Sequence, residues 1–199
     1  MGLQISSTSD TKYLSPFVSI AEGIQGGITL STANLPSDKY EVKEGQLVAV
    51  NSGKLYEVVK TVKLTASLTS AGTTMYININ NFLKVGDFIT PGDRTPQRIS
   101  AITRGATYDT VTLASALAGA ADMDTNDLLF EALTSAVSTN KHAASALLRD
   151  TVKYQEADGT DLQNIFTDGV VRGTVNESLL PTFATTADKT SLSARVLFI

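Results

Sequence analysis

Apolar and polar residues alternate or fall into short runs along most of the chain, a pattern typical of β-strands. The clearest stretch runs from Phe82 to Leu113, where three apolar runs rich in β-branched residues are separated by turns. Gly86-Asp87 and Pro91-Gly92 supply the special φ values and fixed bends that tight connections need. In the last run, apolar residues alternate with threonines. The stretch therefore predicts a small antiparallel sheet that curls to bury one face.

Similar patterns predict further strands on both sides of this stretch. These strands are 42–50, 55–64, 74–79, 127–133, 169–175 and 191–199. Asn51-Ser-Gly53 is a hairpin turn between the first two. The segment 138–149 contains good helix formers and predicts a short helix or a loop. Asp161 is placed to cap one helical turn that holds Leu162, Ile165 and Phe166.

This order of elements predicts a mainly β protein, with small antiparallel barrel or sandwich units, an extended N-terminal arm and a few short helical turns. Residues 1–36 are the N-terminal arm. Residues 37–65 and 137–199 form a discontinuous β base domain, and residues 66–136 form a small β-barrel inserted into it. The reason is that a strand on the last residues normally pairs with something distant in sequence, here the hairpin at 41–64.

The N-terminal stretch leaves two interpretations open. Glycines at 23, 26 and 27 weaken a helix or a strand, yet the tyrosine, phenylalanine and isoleucines are too apolar for a disordered tail. An extended arm that gains its ordering contacts from neighbouring chains fits both facts. The alternative is a loop-rich start that folds over its own domain.

Composition limits the classes of function. The 199 residues are 42% hydrophobic and only 18% charged, which favours a surface partly covered by other subunits, although abundant serine and threonine can also solvate a β surface. A net charge of −4 without a Lys/Arg cluster argues against a nucleic-acid partner. The absence of cysteine excludes disulfides and thiol chemistry. No apolar run approaches the ~18 residues of a membrane span, and no basic-then-apolar signal stands at the start, so we expect a soluble protein.

Several patterns resemble catalytic or metal sites only in part. The segment 122–126 has acidic residues at alternate positions, as in a calcium loop, but Asp127 replaces the required glycine and Leu133 the closing glutamate. His142 is the single histidine, and no Gly-x-Ser-x-Gly motif accompanies it. Ser138-x-x-Lys141 lacks its partner motifs. We therefore predict no enzyme activity, no catalytic residue, no cofactor and no metal.

Two groups of short strand and turn segments resemble segments of a known protein family. The first comprises Leu83-Lys-Val-Gly-Asp-Phe-Ile89, Ile99-Ser-Ala-Ile102, Asp109-Thr-Val-Thr-Leu113 and Asp127-Leu-Leu-Phe-Glu-Ala132. The second comprises Ala146-Leu-Leu-Arg-Asp-Thr-Val152, Val170-Val-Arg-Gly-Thr-Val175 and Leu179-Leu-Pro181. From about Leu35 onward the chain resembles tailed-phage head fibre and capsid decoration proteins.

The resemblance implies a β-rich virion protein that binds the major capsid protein on the outer surface of a phage head after synthesis in the host cytoplasm. It also implies a homo-oligomer, with a trimer favoured. The chain is short for a fibre with a long shaft, so a compact decoration role fits better than a receptor-binding tip. The alternative is a carbohydrate- or host-surface-binding β module, which the absence of tryptophan disfavours.

Large apolar side chains are the anchors that protein interfaces use, so they are the candidate contacts with the capsid or with sister subunits. The candidates in the arm are Tyr13, Leu14, Phe17, Val18 and Ile20. A second candidate patch is Leu147, Leu148 and Arg149. Packing within the chain is the alternative role for the arm residues.

Overall fold

The computed structural model of the protein describes residues 14–53, 55–119, 121–155 and 164–199. The prediction of a mainly β fold with few helices is confirmed. The strands are β1 (Phe17–Gly23), β2 (Ile28–Leu30), β3 (Glu41–Val42), β4 (Leu47–Ser52), β5 (Leu55–Val58), β6 (Thr61–Lys63), β7 (Thr74–Ile77), β8 (Phe88–Thr90), β9 (Gln97–Thr103), β10 (Asp109–Leu113), β11 (Leu128–Thr134), β12 (Val137–Asn140), β13 (Ala146–Leu148), β14 (Val152–Lys153), β15 (Ile165–Thr167), β16 (Gly169–Val175) and β17 (Val196–Phe198). The helical elements of the described residues are a 3₁₀ turn at Glu177–Leu179 and an α-helix, α1, at Thr186–Leu192. No helix within the described ranges is long and apolar enough to cross a bilayer.

The base unit is a mixed sheet with the strand order β1-β16-β13-β4-β5-β2-β15, and β17 also pairs with β16. Every residue of β13 is buried, which shows that the sheet is covered on both faces. One face packs with the small β3–β14 pair through Val42 and Val48, and the other packs with α1 through Leu147 and Leu192.

The barrel unit is a second sheet, with the order β12-β11-β8-β9-β10-β7 and with β6 paired to β11. The sheet curls until its ends meet, because the backbone N–H of Thr65 donates to Tyr76 and that of Asn78 donates to Lys63. The alternating strand β10 buries Val111 and Leu113 in the interior. A buried side chain of this size contributes roughly 1.5–3 kcal/mol to folding, so the interior accounts for the closure of this sheet.

The boundary between the units differs from the one predicted. The predicted strand at 55–64 is two strands, β5 in the base sheet and β6 in the barrel sheet, with Val59 and Lys60 between them. At the other end, β12 pairs with β11 and so belongs to the barrel sheet. The barrel unit therefore spans about residues 61–140, rather than 66–136, because the chain enters the barrel sheet at β6 and leaves it after β12.

The N-terminal stretch is part of the base sheet where it is described. β1 pairs with β16, and β2 pairs with β5 and β15, so residues 17–30 are not a separate arm. Within this stretch, β1 is the exposed part, since its last six residues are all exposed.

Two other local predictions are wrong. The segment 138–149 contains β12 and β13 where a helix or a loop was expected, because pairing with β11, β4 and β16 overrides the helix propensity of its alanines. The terminal strand begins at Val196, since residues 186–192 form α1. Thr185 and Asp188 cap this helix reciprocally. The predicted cap at Asp161 lies outside the described residues.

Candidate functional site

The densest group of ionisable side chains lies where the chain crosses from the base sheet to the barrel sheet. Lys60, in this crossing, has a fully buried ammonium group. Its Nζ lies 2.6 Å from a carboxylate oxygen of Asp87 and 3.7 Å from one of Glu131. It also donates a 3.0 Å hydrogen bond to Oδ1 of Asn34. Burial lowers the pKa of Lys60, and the two carboxylates oppose that shift.

A second layer of charge lies outside this centre. Lys141 Nζ is 3.1 Å from Glu131 and 3.3 Å from Glu57, and His142 Nε2 is 3.1 Å from Glu57. Burial would raise the pKa of Glu57, but Lys141 and His142 outweigh it and hold that pKa below its ordinary value. Burial would likewise lower the pKa of Lys141, yet Glu131 and Glu57 raise it. We define the crossing cluster as these residues: Asn34, Glu57, Lys60, Asp87, Glu131, Lys141 and His142.

The crossing cluster has no room for a substrate. The cavity beside it, lined by Lys60, Glu131 and His142 among others, has a volume of about 10 Å³. That volume is close to the minimum that one water molecule needs. The grouped carboxylates and amines therefore lack access to an external small molecule, although they lie close enough to react with one another.

A second polar node joins the two units from the side of the barrel. Arg104, which follows β9, donates to Asp109 at 2.8 Å and to the carbonyl of Leu83 at 2.8 Å. Its Nε lies 2.5 Å from Asp38 of the base unit. Burial would lower the pKa of Arg104, but the hydrogen bonds that it donates to Asp38 and Asp109 raise that pKa. The node fixes the loop after β9 against the base unit.

Two surface grooves flank this node. One, of about 350 Å³, is lined by residues that include Lys39, Tyr40 and Phe82. The other, of about 380 Å³, is lined by Lys84, Arg104 and neighbouring residues. Both reach the size of small-ligand sites, but Asp38, which lines both, is committed to Arg104. The carboxylate of Asp38 is therefore not free to bind a ligand in either groove.

In the part of the chain that the structure describes, no group of three or more His, Cys, Asp or Glu side chains is arranged so that it could hold a metal ion. The acidic segment that resembles a calcium loop is a turn instead. Asp122 accepts from the backbone of Ser70, and Asp127 accepts from the backbone of Asp124. These carboxylates satisfy backbone N–H groups.

The residues predicted to be interface anchors in the arm fall into three groups. Leu14, Val18 and Ile20 are exposed over 59%, 60% and 43% of their surface, as an anchor that awaits a partner must be. Phe17 is half-buried and packs on the core beside α1. Tyr13 lies outside the described residues.

The second predicted patch requires a correction. Leu147 and Leu148 are fully buried, one on each face of the base sheet, so their side chains are core residues and cannot contact a capsid. Arg149 is exposed, and its guanidinium lies 3.6 Å from Asp168. Three consecutive apolar residues before a charge are typical of a strand buried on both faces, which is how β13 is used.

Sequence reasoning also missed the crossing cluster. Lys60 follows two valines and precedes Thr61-Val62, a pattern that predicts a charged residue on an exposed strand face. The partners come from positions 34, 87 and 131, and no local pattern brings these together.

No protein-family model matches the chain, and no match is found among curated proteins or among solved structures.

Proposed function

We propose that this chain is a structural protein of a phage virion, a head fibre or decoration protein that binds the outer surface of the capsid. Its partners are the major capsid protein and sister copies of the chain, with a trimer favoured. Two features support a role in assembly over catalysis. The sequence segments described above resemble those of this family, and the ionisable residues converge in a cluster closed to substrates.

The main support for the proposal is that β1 is an edge strand of the base sheet. This seven-residue strand is at one end of the base sheet and pairs, among the described residues, with β16 alone. No other strand of the described ranges covers its second edge, and such edges readily add a strand from another chain. Val18 and Ile20 expose apolar surface on the same strand. A partner that pairs with this edge would satisfy the backbone and cover both side chains.

The strand carries no lysine and no proline, two residues that natural edge strands use to prevent such pairing. Its register against β16 shifts at three points, and these irregularities limit how long an added strand can be. The geometry supports a short, specific contact. Because a decoration protein binds through many copies, modest contacts of this kind suffice.

The test is binding of the purified chain to phage heads that lack it, measured by co-sedimentation. We expect wild type to sediment with the heads and Val18→Asp/Ile20→Asp to remain in the supernatant. Val85→Asp is the matched control, because Val85 is 58% exposed but lies in the barrel unit. Absence of wild-type binding to heads of the phage that encodes the chain would refute the proposal.

One observation favours the carbohydrate- or host-surface-binding alternative. Tyr76 and Tyr108 are 39% and 46% exposed and form an edge-to-face pair with ring centroids 5.1 Å apart. Exposed rings of this kind can stack on sugars. Glycan binding that Tyr108→Ala abolishes, without head binding by wild type, would establish this function instead.

A further inference from the structure

The centre of the crossing cluster combines a buried amine, a carboxamide and a carboxylate. Lys60 Nζ donates to Oδ1 of Asn34 at 3.0 Å. The amide nitrogen Nδ2 of Asn34 donates to Glu131 at 3.2 Å and to Glu57 at 3.3 Å. We propose that Lys60 and Asn34 join spontaneously in an amide (isopeptide) bond, with Glu131 as the group that moves the proton.

The nucleophile is close to the atom that it would attack. A carbonyl bond is about 1.23 Å long, so the 3.0 Å separation from Oδ1 places Lys60 Nζ within about 4.2 Å of Cγ of Asn34. Reacting atoms about 3–3.5 Å apart are near attack, and a small rotation of either side chain closes the difference. Two groups held in this way react at an effective concentration that free amines never reach in solution.

The surroundings supply a neutral amine. An ammonium group is not a nucleophile, so Lys60 must first lose a proton. Asp87, 2.6 Å away, is placed to accept it. Burial of Lys60, whose side chain has no exposed surface, favours its uncharged amine because charge is unfavourable in a low-dielectric site. The same burial lowers the pKa of Lys60.

Glu131 occupies the position that the proton transfer requires. One of its oxygens lies 3.7 Å from Lys60 Nζ and 3.2 Å from Asn34 Nδ2, so the same carboxylate touches both the attacking and the departing nitrogen. Glu57 and Glu131 both reach Asn34 and both pair with Lys141, but of the two only Glu131 also pairs with Lys60. Glu131 is therefore the better shuttle, and Glu57 orients the amide.

The reaction balances without any other reagent. The Nζ–Cγ bond forms and the Cγ–Nδ2 bond of Asn34 breaks. Of the three protons on the Lys60 ammonium, one stays on the new amide, one passes through Glu131 to the departing nitrogen, and one goes to Asp87. Ammonia leaves, no atom is oxidised or reduced, and the chain loses the mass of one ammonia molecule.

The bond would tie two distant parts of the fold. Asn34 lies in the segment after β2, and Lys60 lies in the crossing between β5 and β6. The product closes a covalent loop that holds the N-terminal part of the base sheet to the chain entering the barrel. A link of this kind persists when the non-covalent packing is lost, which is useful in a protein under mechanical load.

The test is the intact mass of the denatured, purified full chain, followed by tandem mass spectrometry of its tryptic peptides. We expect a loss of one ammonia and a branched peptide in which Lys60 is joined to Asn34. A succinimide at an asparagine loses the same mass but joins no two peptides, so the branched peptide separates the two products.

Variants distinguish the roles of the residues. Lys60→Arg and Asn34→Ala should restore the full mass, and Glu131→Gln should slow the loss by at least tenfold in freshly refolded protein. Lys84→Arg is the matched control, because Lys84 Nζ reaches the neighbouring Ala33 carbonyl without contacting the amide, and it should keep the cross-link. Wild type that is folded by circular dichroism and keeps its full mass after prolonged incubation would overturn the proposal. A mass loss that persists in Lys60→Arg would do the same.

Discussion

Arg104 provides the sharpest test of how the two units are held together. Its guanidinium donates to the carboxylate of Asp109 at 2.8 Å, to the side-chain oxygen of Asn81 at 2.9 Å and to the carbonyl of Leu83 at 2.8 Å. It also pairs with Asp38 across the junction. Arg104→Met keeps most of the apolar stem and removes every one of these hydrogen bonds.

The expected loss of unfolding free energy depends on the buried carboxylate that Arg104→Met leaves without its partner. Asp109 is 2% exposed, so its carboxylate would lose its cationic partner while still buried. Removing one partner of a buried ion pair costs about 3–5 kcal/mol. The Arg104 side chain is itself 24% exposed, and Asp109 keeps its hydrogen bonds from Asn81 and Gly105. We therefore expect the free energy of unfolding to fall by about 2–3 kcal/mol, at or below the low end of that range.

The assay is equilibrium unfolding in urea, followed by circular dichroism. Arg98→Met is the control, because Arg98 lies on the neighbouring strand β9 and is exposed, and it should change the free energy of unfolding by less than about 0.5 kcal/mol. In the double variant Arg104→Met/Asp109→Asn, the buried charge is gone and part of the loss should be recovered. An Arg104→Met protein within about 0.5 kcal/mol of wild type would show that the node does not hold the units together.

Two further predictions concern the crossing cluster and the base core. Because the pKa of Glu57 is lowered from its ordinary 4.5 in the folded chain, its contribution to stability is present above about pH 4.5 and is lost as the pH falls through the folded pKa. The free energy of unfolding should thus decline less steeply with acid in Glu57→Gln than in wild type, and parallel pH profiles would contradict this. Leu147→Ala should lower the free energy of unfolding by about 2–5 kcal/mol, since the side chain is fully buried. Arg149→Ala, which removes a half-exposed charge, should change it by less than about 1 kcal/mol in the same urea experiment, and equal effects of the two variants would contradict the burial assigned to β13.

The barrel strands could be predicted because their information is local. Between Phe82 and Leu113, turn residues separate apolar runs, and β8, β9 and β10 follow those runs closely. In β10 the alternation of apolar residues and threonines matches the buried and half-buried positions. Short-range alternation and turn chemistry are sufficient where neighbouring strands are also neighbours in sequence.

Elements whose structure depends on distant partners could not be predicted in this way. The alanines of 143–146 favour a helix, but Ala146 pairs with β4 and begins β13. Nothing near Lys60 shows that carboxylates from positions 87 and 131 will surround it. By contrast, the start of α1 could have been predicted from the sequence, since Thr185 and Asp188 have the spacing of a capping box.

If β1 is an edge that pairs with another copy of the chain, sedimentation equilibrium of the purified protein should detect the resulting oligomer. We expect wild type and Val85→Asp to sediment as an oligomer whose mass is a whole multiple of the chain, and Val18→Asp/Ile20→Asp to shift toward the monomer. A wild-type protein that is monomeric at every concentration, or an oligomer that the β1 double variant leaves unchanged, would show that β1 does not pair with another copy.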